Sequence, residues 1–480
     1  MMIHFYKLFL TLAISIYSVG AAGQVVALRV PEPNEVVIGN PLVSKDADNI
    51  IVDYDILLGE MVLSCNVNLE VSTNAGDTYS KISEGLTGDR KNIKTSGHKT
   101  IRIPLSKYKN KLVGKSLVFK LTVTDIPLPK DLSIKGTANC YIISNSGIYS
   151  IKAVKGNSSQ AIEDIKSVVV LWETFGTDIA PKIGDLIKTI SYSDGYITFK
   201  TADTFREGNA LIAVKGTSGE ILWSWHIWLT DIPQKCIYPN GAGTMMDRNL
   251  GATSATPGDV GSLGLLYQWG RKDPFLGSSN IHEYNKAKST IYIWPTAVNS
   301  QSFNGTIRYG TIEYSVSHPT TFIYNNEGVG RDGNEDWYYT GDYNADKTRW
   351  PESNKPKSIY DPCPAGWRVP DGDWTEHTKP IKYGIWTKAG FKDKIEFDYK
   401  NRGILFKISS TLTTWYPASG LGVSDGVYSV GYAGWWWSAT PQNYGGNRGE
   451  CLFMSLNNNG SVYMGCETKD TAISVRCIKE

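Results

Sequence analysis

The sequence predicts a mainly β protein built from several domains. Glycine (47 residues), tyrosine (27) and tryptophan (15) are abundant while helical periodicity is scarce, which is typical of β-rich domains with long aromatic loops. Short apolar segments alternate with polar residues, as half-buried strands do. The 480 residues are too many for one core, so we expect two to four domains. Lys and Arg (49) balance Asp and Glu (47) without a basic cluster, which argues against a nucleic-acid partner.

A secretory signal is predicted over residues 1–23. Lys7 supplies the positive charge, residues 8–19 are mostly apolar, and the small residues at 20–23 suit signal peptidase. The apolar segment is too short to cross a bilayer, and no other segment is long enough. Because no cysteine follows the signal, a lipoprotein is not expected. We therefore predict export to the cell surface or the extracellular space.

Residues 24–128 are expected to form a β-sandwich of immunoglobulin or fibronectin type. The clearest strand patterns cover residues 50–57, 61–71 and 115–124, and the Asn- and Gly-containing turn 72–79 joins two strands. About 100 residues with this spacing fit such a sandwich. The segment resembles fibronectin-type modules of secreted Bacteroidota proteins, notably at residues 71–76. A spacer role is preferred to an adhesive one, because no site residues stand out.

Residues 129–235 are predicted to form a second β-rich sandwich. A Thr-Asp-Ile-Pro sequence closes strand patterns at both 124–127 and 230–233, and so marks the two boundaries. Alternation places Trp223 and Trp225 on one strand face, and His226 and Trp228 on the other. We expect a strand covered on both faces, in preference to a binding site centred on His226.

Residues 236–480 carry five ordered motifs. These are Met-Asp-Arg-Asn-Leu-Gly-Ala at 246–252, Tyr-Gln-Trp-Gly-Arg-Lys-Asp-Pro-Phe at 267–275, Asp-Pro-Cys-Pro-Ala-Gly-Trp-Arg-Val-Pro at 361–370, Trp-Trp-Ser-Ala-Thr at 436–440 and Ser-Val-Arg-Cys at 474–477. On these motifs the segment is identified as a member of the FISUMP family of bacterial surface domains. The resemblance implies an α+β C-type-lectin-like domain with long loops, and it implies location more than activity.

Four of the seven cysteines lie in this third domain. The lectin-like resemblance implies disulfides Cys363–Cys477 and Cys451–Cys466, although the sequence alone leaves other pairings open. Cys65, Cys140 and Cys236 remain, and an odd total leaves at least one thiol free or intermolecular. Cys363 itself lies in a proline-rich turn without an acid or base beside it, which favours a structural role over a reactive thiol.

Charged and aromatic clusters in the third domain have two interpretations each. Asp247-Arg248 and Arg271-Lys272-Asp273 line a cleft or, as we prefer, form buried ion pairs that hold loops. The run Trp435-Trp436-Trp437 is a sugar-stacking platform or a core element. Alternation requires at least one of them, Trp436 or Trp437, to face inward. We prefer core positions for two of the three, and Trp435 is the candidate that contacts ligand.

The loop at about 280–357 is atypical of the family and is the main candidate site. Asp332, Asn334 and Asp336 match the first three ligand positions of a calcium loop, but Trp337 and Tyr343 replace its Gly and Glu. Calcium is therefore an alternative to an exposed acidic loop, and no other cofactor is expected. Long loops on rigid scaffolds often carry function. The predicted ligand-binding residues are Trp337, Tyr338, Tyr339, Asp342, Tyr343 and Trp435.

These features together predict a non-catalytic, adhesin-like surface protein that binds glycans or host or bacterial proteins, in a fimbria-like assembly or alone. One alternative is a purely structural subunit joined to its neighbours by strand addition. Another is an enzyme, because formylglycine-generating oxidases share the lectin-like fold. Residues 445–449, Gly-Gly-Asn-Arg-Gly, depart from the Arg-Gly-Gly-Ser motif of those enzymes, and no catalytic triad or carboxylate pair is recognisable.

Overall fold

The computed structural model describes residues 14–15, 28–33, 35–113, 115–126, 128–282, 285–290, 296–300, 308–325, 336–339, 348–373, 383–442 and 448–480. Strands dominate, so the predicted mainly β class is confirmed. The chain divides into two compact units, Met1–Pro129 and Lys130–Glu480. Within the described ranges, no helix combines the length and apolar character that crossing a membrane requires.

The first unit contains two four-stranded sheets, ordered β2-β3-β7-β6 and β1-β8-β4-β5. Its elements are β1 (Ile14–Ser15), β2 (Val36–Lys45), β3 (Asn49–Leu58), β4 (Asn66–Ser72), β5 (Ser80–Ile82), β6 (Thr87–Gly88), β7 (Gly97–Pro104), helix α1 (Leu105–Leu112) and β8 (Val118–Thr124). Inward residues of both sheets, such as Val52, Leu69 and Ile101, form one core. The predicted turn at 72–79 joins β4 to β5, and Ala75 and Gly76 adopt the positive φ angles of such a turn (61° and 105°).

The second unit begins with two facing four-stranded sheets, ordered β10-β16-β15-β12 and β13-β14-β11-β9. Their strands are β9 (Lys130–Asp131), β10 (Cys140–Ile143), β11 (Ile148–Lys152), β12 (Ser167–Thr174), β13 (Ile187–Ser193), β14 (Tyr196–Thr201), β15 (Gly208–Lys215) and β16 (Ile221–Leu229). Trp223 and Trp225 pack between these sheets, whereas Trp228 packs on the opposite side, against the core of residues 246–477. Strand β16 is thus covered on both faces, as its alternation predicts.

The module boundary predicted at residue 236 lies inside this compact unit. Trp172 and Trp228 share one hydrophobic cluster with Trp269, Trp437 and Cys477. The side-chain amide of Asn139 also donates to the carbonyl oxygens of residues 359 and 361, at 2.7 and 2.9 Å. A continuous core therefore joins residues 130–235 to residues 236–480.

Residues 236–480 hold four further sheets. The orders are β17-β18-β32-β22, then β27-β26-β31-β28-β29-β30 with β19 attached to β31, then β23-β24-β25 and β20-β21. The strands are β17 (Lys235–Tyr238), β18 (Gly243–Met246), β19 (Leu266–Gln268), β20 (Thr296–Asn299), β21 (Thr321–Tyr324), β22 (Trp367–Arg368), β23 (Ile395–Asp398), β24 (Gly403–Lys407), β25 (Thr413–Pro417), β26 (Leu421–Val423), β27 (Gly426–Tyr428), β28 (Ala433–Pro441), β29 (Arg448–Ser455), β30 (Ser461–Thr468), β31 (Ala472–Ser474) and β32 (Ile478–Lys479). The helices are α2 (Ile312–Ser317) and α3 (Ile385–Lys388), with 3₁₀ turns in unit 2 at Leu132–Lys135, Val260–Ser262 and Phe391–Lys394.

A disulfide joins Cys363, in the proline-rich turn before β22, to Cys477 beside β32. The two strands also pair directly, with Arg368 opposite Ile478. The predicted second bond, Cys451–Cys466, is wrong, because both residues are free. Cys451 lies opposite Gly465 and Cys466 opposite Glu450, so the two thiols point to opposite faces of the β29–β30 pair.

Candidate functional site

Trp337, the leading ligand-binding candidate, is a core residue. Its side chain is 1% exposed, and its indole nitrogen donates to the carbonyl oxygen of Trp269 at 2.8 Å. The guanidinium of Arg349 lies 4.5 Å from the ring centroid. The prediction that Trp337 lies on an exposed loop surface is therefore wrong, since neither ring face is open to a ligand.

Asp336 is also buried, and its carboxylate faces cations rather than solvent. Oδ2 of Asp336 contacts the guanidinium of Arg349, and the ammonium of Lys469 lies 3.6 Å away. All three side chains are at most 1% exposed. A calcium ligand needs free carboxylate oxygens, so the calcium role predicted for Asp336 is wrong. Asp332 and Asn334 lie outside the described residues, and within those residues no cluster of three His, Cys, Asp or Glu side chains is placed to hold a metal.

Tyr338 and Tyr339 are half-buried and help to attach the same segment. The Tyr338 ring meets the Trp337 ring edge-on at 6.2 Å, and the backbone amide of Tyr339 donates to the Gly310 carbonyl at 2.8 Å. Asp342 and Tyr343 lie outside the described residues. The described part of the predicted loop site is therefore a structural contact and offers no continuous aromatic surface.

Most residues of the charged motifs form buried ion pairs, the arrangement that the sequence favours over a cleft. Arg248 bonds both Asp247 and Asp231, and Lys272 lies 2.7 Å from the Asp273 carboxylate. Burial lowers the pKa of Lys272. Arg248 and Lys272 thus have carboxylate partners. Arg271, which is also buried, donates instead to the side-chain oxygen of Gln268 and to the Thr321 carbonyl, and so joins the loops by hydrogen bonds.

His226 belongs to the same buried interior. Its Nε2 atom lies 2.8 Å from the side-chain oxygen of Asn209, and burial lowers the pKa of the imidazole to about 3. The ring is therefore neutral at physiological pH. It has no solvent-facing side from which to act as a base.

Two tryptophans of the run at 435–437 are core residues, which agrees with the preferred prediction. Trp436 donates to the side-chain oxygen of Asn249 at 2.8 Å, and Trp437 donates to the carbonyl of Tyr267 at 2.7 Å. Both are fully buried, whereas Trp435 is half-buried. Of the three, Trp435 alone has a side chain that ligand can reach.

Trp435 begins an aromatic ladder that crosses three strands. It lies directly opposite Phe453 on β29, and Phe453 lies opposite Tyr463 on β30. The ring centroids are 5.1 Å apart for Trp435 and Phe453, and 4.9 Å apart for Phe453 and Tyr463. Tyr463 is 53% exposed. We use the name aromatic ladder for these three residues.

Small and polar neighbours leave this ladder accessible. Gly465, two residues along β30 from Tyr463, has no side chain to cover the ring. On the other side, Ser455 and Ser461 lie opposite each other on the same face, and Ser461 is exposed. An exposed ring such as that of Tyr463 can stack on the apolar face of a ligand ring, while the hydroxyl groups beside it bond the polar substituents of the ligand. Sequence analysis missed Phe453 and Tyr463, although their outward positions follow from the alternation of β29 and β30.

A second feature that sequence analysis missed is the carboxyl of Glu450. Its Oε2 atom is buried and has no hydrogen-bond partner among the described residues. Burial, together with the charges of Asp373 and Glu352, raises the pKa of Glu450 to about 8. Carboxyl groups with a shifted pKa are common at catalytic sites. Here the Oε2 atom of Glu450 packs against the backbone of Gly372, so we interpret the carboxyl as structural.

Comparison of this chain with protein-family models and with curated proteins found no match.

Proposed function

We propose that this chain is an exported surface protein that binds glycans through the aromatic ladder of Trp435, Phe453 and Tyr463. The observation that carries the proposal is the row of three neighbouring rings on a sheet face, tilted by 54° and 52° to one another, with Tyr463 more than half exposed. Aromatic rings pair an apolar face with a polar edge, and exposed ones commonly mark binding surfaces. The disulfide fits an oxidising, extracellular location. The predicted signal segment at residues 1–23 supports export, and its removal would take away the two-residue strand β1 from beside β8.

The rigidity of the scaffold supports the same proposal. Directly beside Trp435, Trp436 and Trp437 are locked by hydrogen bonds to Asn249 and Tyr267. The ladder rings are therefore held in place before ligand arrives, which reduces the entropy lost on binding. Tyr463, on the outermost strand of the sheet, is the most accessible ring.

A glycan array tests this proposal with the purified chain and its Tyr463→Ala variant. We expect binding to a subset of glycans and a roughly twofold to tenfold weaker interaction for the variant, because one ring stack contributes about 0.5–1.5 kcal/mol. Tyr399→Ala is the matched control, since Tyr399 is 47% exposed but lies at the end of another sheet. The glycan binding of this control should be unchanged, and both variants should have melting temperatures close to that of the parent.

Two results would contradict the proposal. If no glycan is retained, or if Tyr463→Ala and Trp435→Ala both bind as the parent does, the ladder is not a sugar platform. Retention of proteins but not glycans by the ladder would assign the site to a protein ligand instead.

A structural subunit is a second candidate, because β30 is an eight-residue strand at the edge of its sheet. An edge strand accepts an added strand from a partner through its free backbone groups. Light scattering of the purified chain across a concentration series tests this alternative. A monomer at all concentrations would count against it.

A further inference from the structure

A cleft of about 440 Å³ lies beside the disulfide-linked strands β22 and β32. Its walls come from the β32 strand, the start of helix α3 and the segment around residues 353–371. This volume lies in the range of small-molecule sites. The cleft is separate from the aromatic ladder, none of whose three residues contributes to its wall.

Positive charge exceeds negative charge around this cleft. Four basic residues line it, namely Lys357, Arg368, Lys388 and Lys479, against the two acidic residues Asp371 and Glu480. Of the two acidic residues, Asp371 accepts hydrogen bonds from the amide and hydroxyl of Ser353, and the charge of Glu480 acts on Lys357. Lys357 is likewise engaged, 3.5 Å from the Asp361 carboxylate.

The remaining three basic side chains have no carboxylate partner among the residues that the structure describes. Arg368 is 5% exposed, and its terminal nitrogens donate only to backbone carbonyls of residues 351, 352 and 355. Its Nε atom is buried and has no acceptor in the described part of the chain. Lys388 and Lys479 are exposed and form no ion pair with any described residue. Burying a guanidinium without a counter-ion costs free energy, and a bound anion would offset that cost.

The other walls of the cleft offer aromatic and apolar surface on which the ring of a ligand can pack. Tyr383 is 56% exposed at its edge, and Ile385 and Ile478 add apolar surface. Tyrosine supplies a stacking face, while the cationic groups supply a site for a carboxylate. We propose that this cleft binds an acidic sugar residue, a uronate, with its carboxylate toward Arg368 and its ring against Tyr383.

Titration calorimetry of the purified chain with sodium glucuronate tests this site. Glucose is the neutral analogue, succinate the acyclic acid and inorganic phosphate the simple anion. We expect glucuronate to bind at least about tenfold more tightly than each of the three. The affinity should fall as NaCl is raised from 50 to 300 mM, since exposed lysines contribute through screened charge.

Variants locate the binding in the cleft. Arg368→Gln should abolish it, but this buried substitution can also unfold the chain. Lys388→Gln combined with Lys479→Gln changes exposed residues only, and should weaken glucuronate binding roughly fivefold to tenfold with an unchanged melting temperature. Tyr383→Ala should weaken it too. Lys400→Gln, at an exposed lysine outside the cleft, is the matched control.

Three outcomes would overturn the proposal. They are no binding of glucuronate, equal binding of succinate or phosphate, and unchanged affinity in the double lysine variant. Because Tyr463 lies outside the cleft, Tyr463→Ala should leave glucuronate binding intact, which separates this site from the ladder.

Discussion

Asp336 and Arg349 form an ion pair whose two side chains are at most 1% exposed, and Lys469 lies 3.6 Å from the same carboxylate oxygen. Arg349 also covers the rings of Trp337 and Trp269, at 4.5 and 5.2 Å from their centroids. The pair thus attaches the segment around residue 336 to the tryptophan core. Removing one partner leaves an uncompensated buried charge.

We predict that Asp336→Ala lowers the free energy of unfolding by about 3–5 kcal/mol, because two buried cations lose their counter-ion. Urea denaturation followed by tryptophan fluorescence measures the change. Asp393→Ala, at an exposed aspartate, is the control and should stay within about 0.5 kcal/mol of the parent. Stabilisation of the parent by millimolar calcium, lost in Asp336→Ala, would instead restore the calcium hypothesis.

Trp337→Ala is expected to cost about 3–5 kcal/mol of stability, since it removes a fully buried indole and the hydrogen bond to Trp269. Trp437→Ala should cost a similar amount, because Trp437 is equally buried. Thermal melts compare both with Tyr463→Ala, which we expect to melt within a few degrees of the parent. A folded Trp337→Ala chain with the parent's melting temperature would place Trp337 at the surface after all.

The cysteines give a prediction that mass spectrometry checks. Non-reducing peptide mapping should find Cys363 linked to Cys477, and alkylation of the native chain should modify half-buried Cys466 before Cys451, which is 1% exposed. Burial also raises the pKa of the Cys451 thiol and so suppresses its reactive thiolate. Detection of a Cys451–Cys466 peptide in the folded chain would disprove the register of β29 and β30.

Breaking the disulfide itself should be costly. The bond spans 114 residues, and the chain-entropy model gives a contribution of roughly 3–5 kcal/mol for such a loop. Denaturation of the Cys363→Ser and Cys477→Ser double variant measures the loss. The double variant leaves no unpaired partner thiol, which a single substitution would.

Glu450 predicts a pH dependence of stability. Its pKa in the folded chain is raised to about 8 from an ordinary value of 4.5, so the folded state binds this proton more tightly than the unfolded state. Stability should therefore fall as pH rises from about 4.5 to 8, and the full penalty should remain above pH 8. Glu450→Gln, which mimics the neutral acid, should raise the melting temperature at pH 9 and change it little at pH 5. An equal effect at both pH values would show that Glu450 is ionised or solvated throughout.

The alternation of apolar and polar residues was sufficient to predict the strands and several core positions. The alternation of residues 223–228 placed the tryptophans of β16 correctly. Trp436 and Trp437 were separated from Trp435 by their place in the Trp-Trp-Ser-Ala-Thr motif, because alternation alone puts Trp435 and Trp437 on the same face. The result for β16 has one physical cause: a strand has a period of two, and burial on either face follows from it.

Residues that depend on distant partners could not be predicted in this way. The segment containing Trp337 is acidic and rich in tyrosine, which suggests exposure, yet Arg349 and Lys469 approach from elsewhere in the chain and bury it. The predicted disulfide between Cys451 and Cys466 was wrong for another reason. Their separation permits a bond, but the register between the strands places them on opposite faces, and a slip of one residue would reverse that result.

The position of β32 inside its sheet has a consequence for biosynthesis. β32 pairs with β18 on one side and β22 on the other, and nearby Arg476 reaches Asn249 across 227 residues. During synthesis, β18 and β22 therefore remain unpaired on one side until β32 has been made. Cys363 likewise cannot form its native disulfide before Cys477 is present. The sheets of the first unit, by contrast, draw all their strands from residues before 125 and can close early. The native disulfide of Cys363 can therefore form only after the chain has been synthesised as far as residue 477.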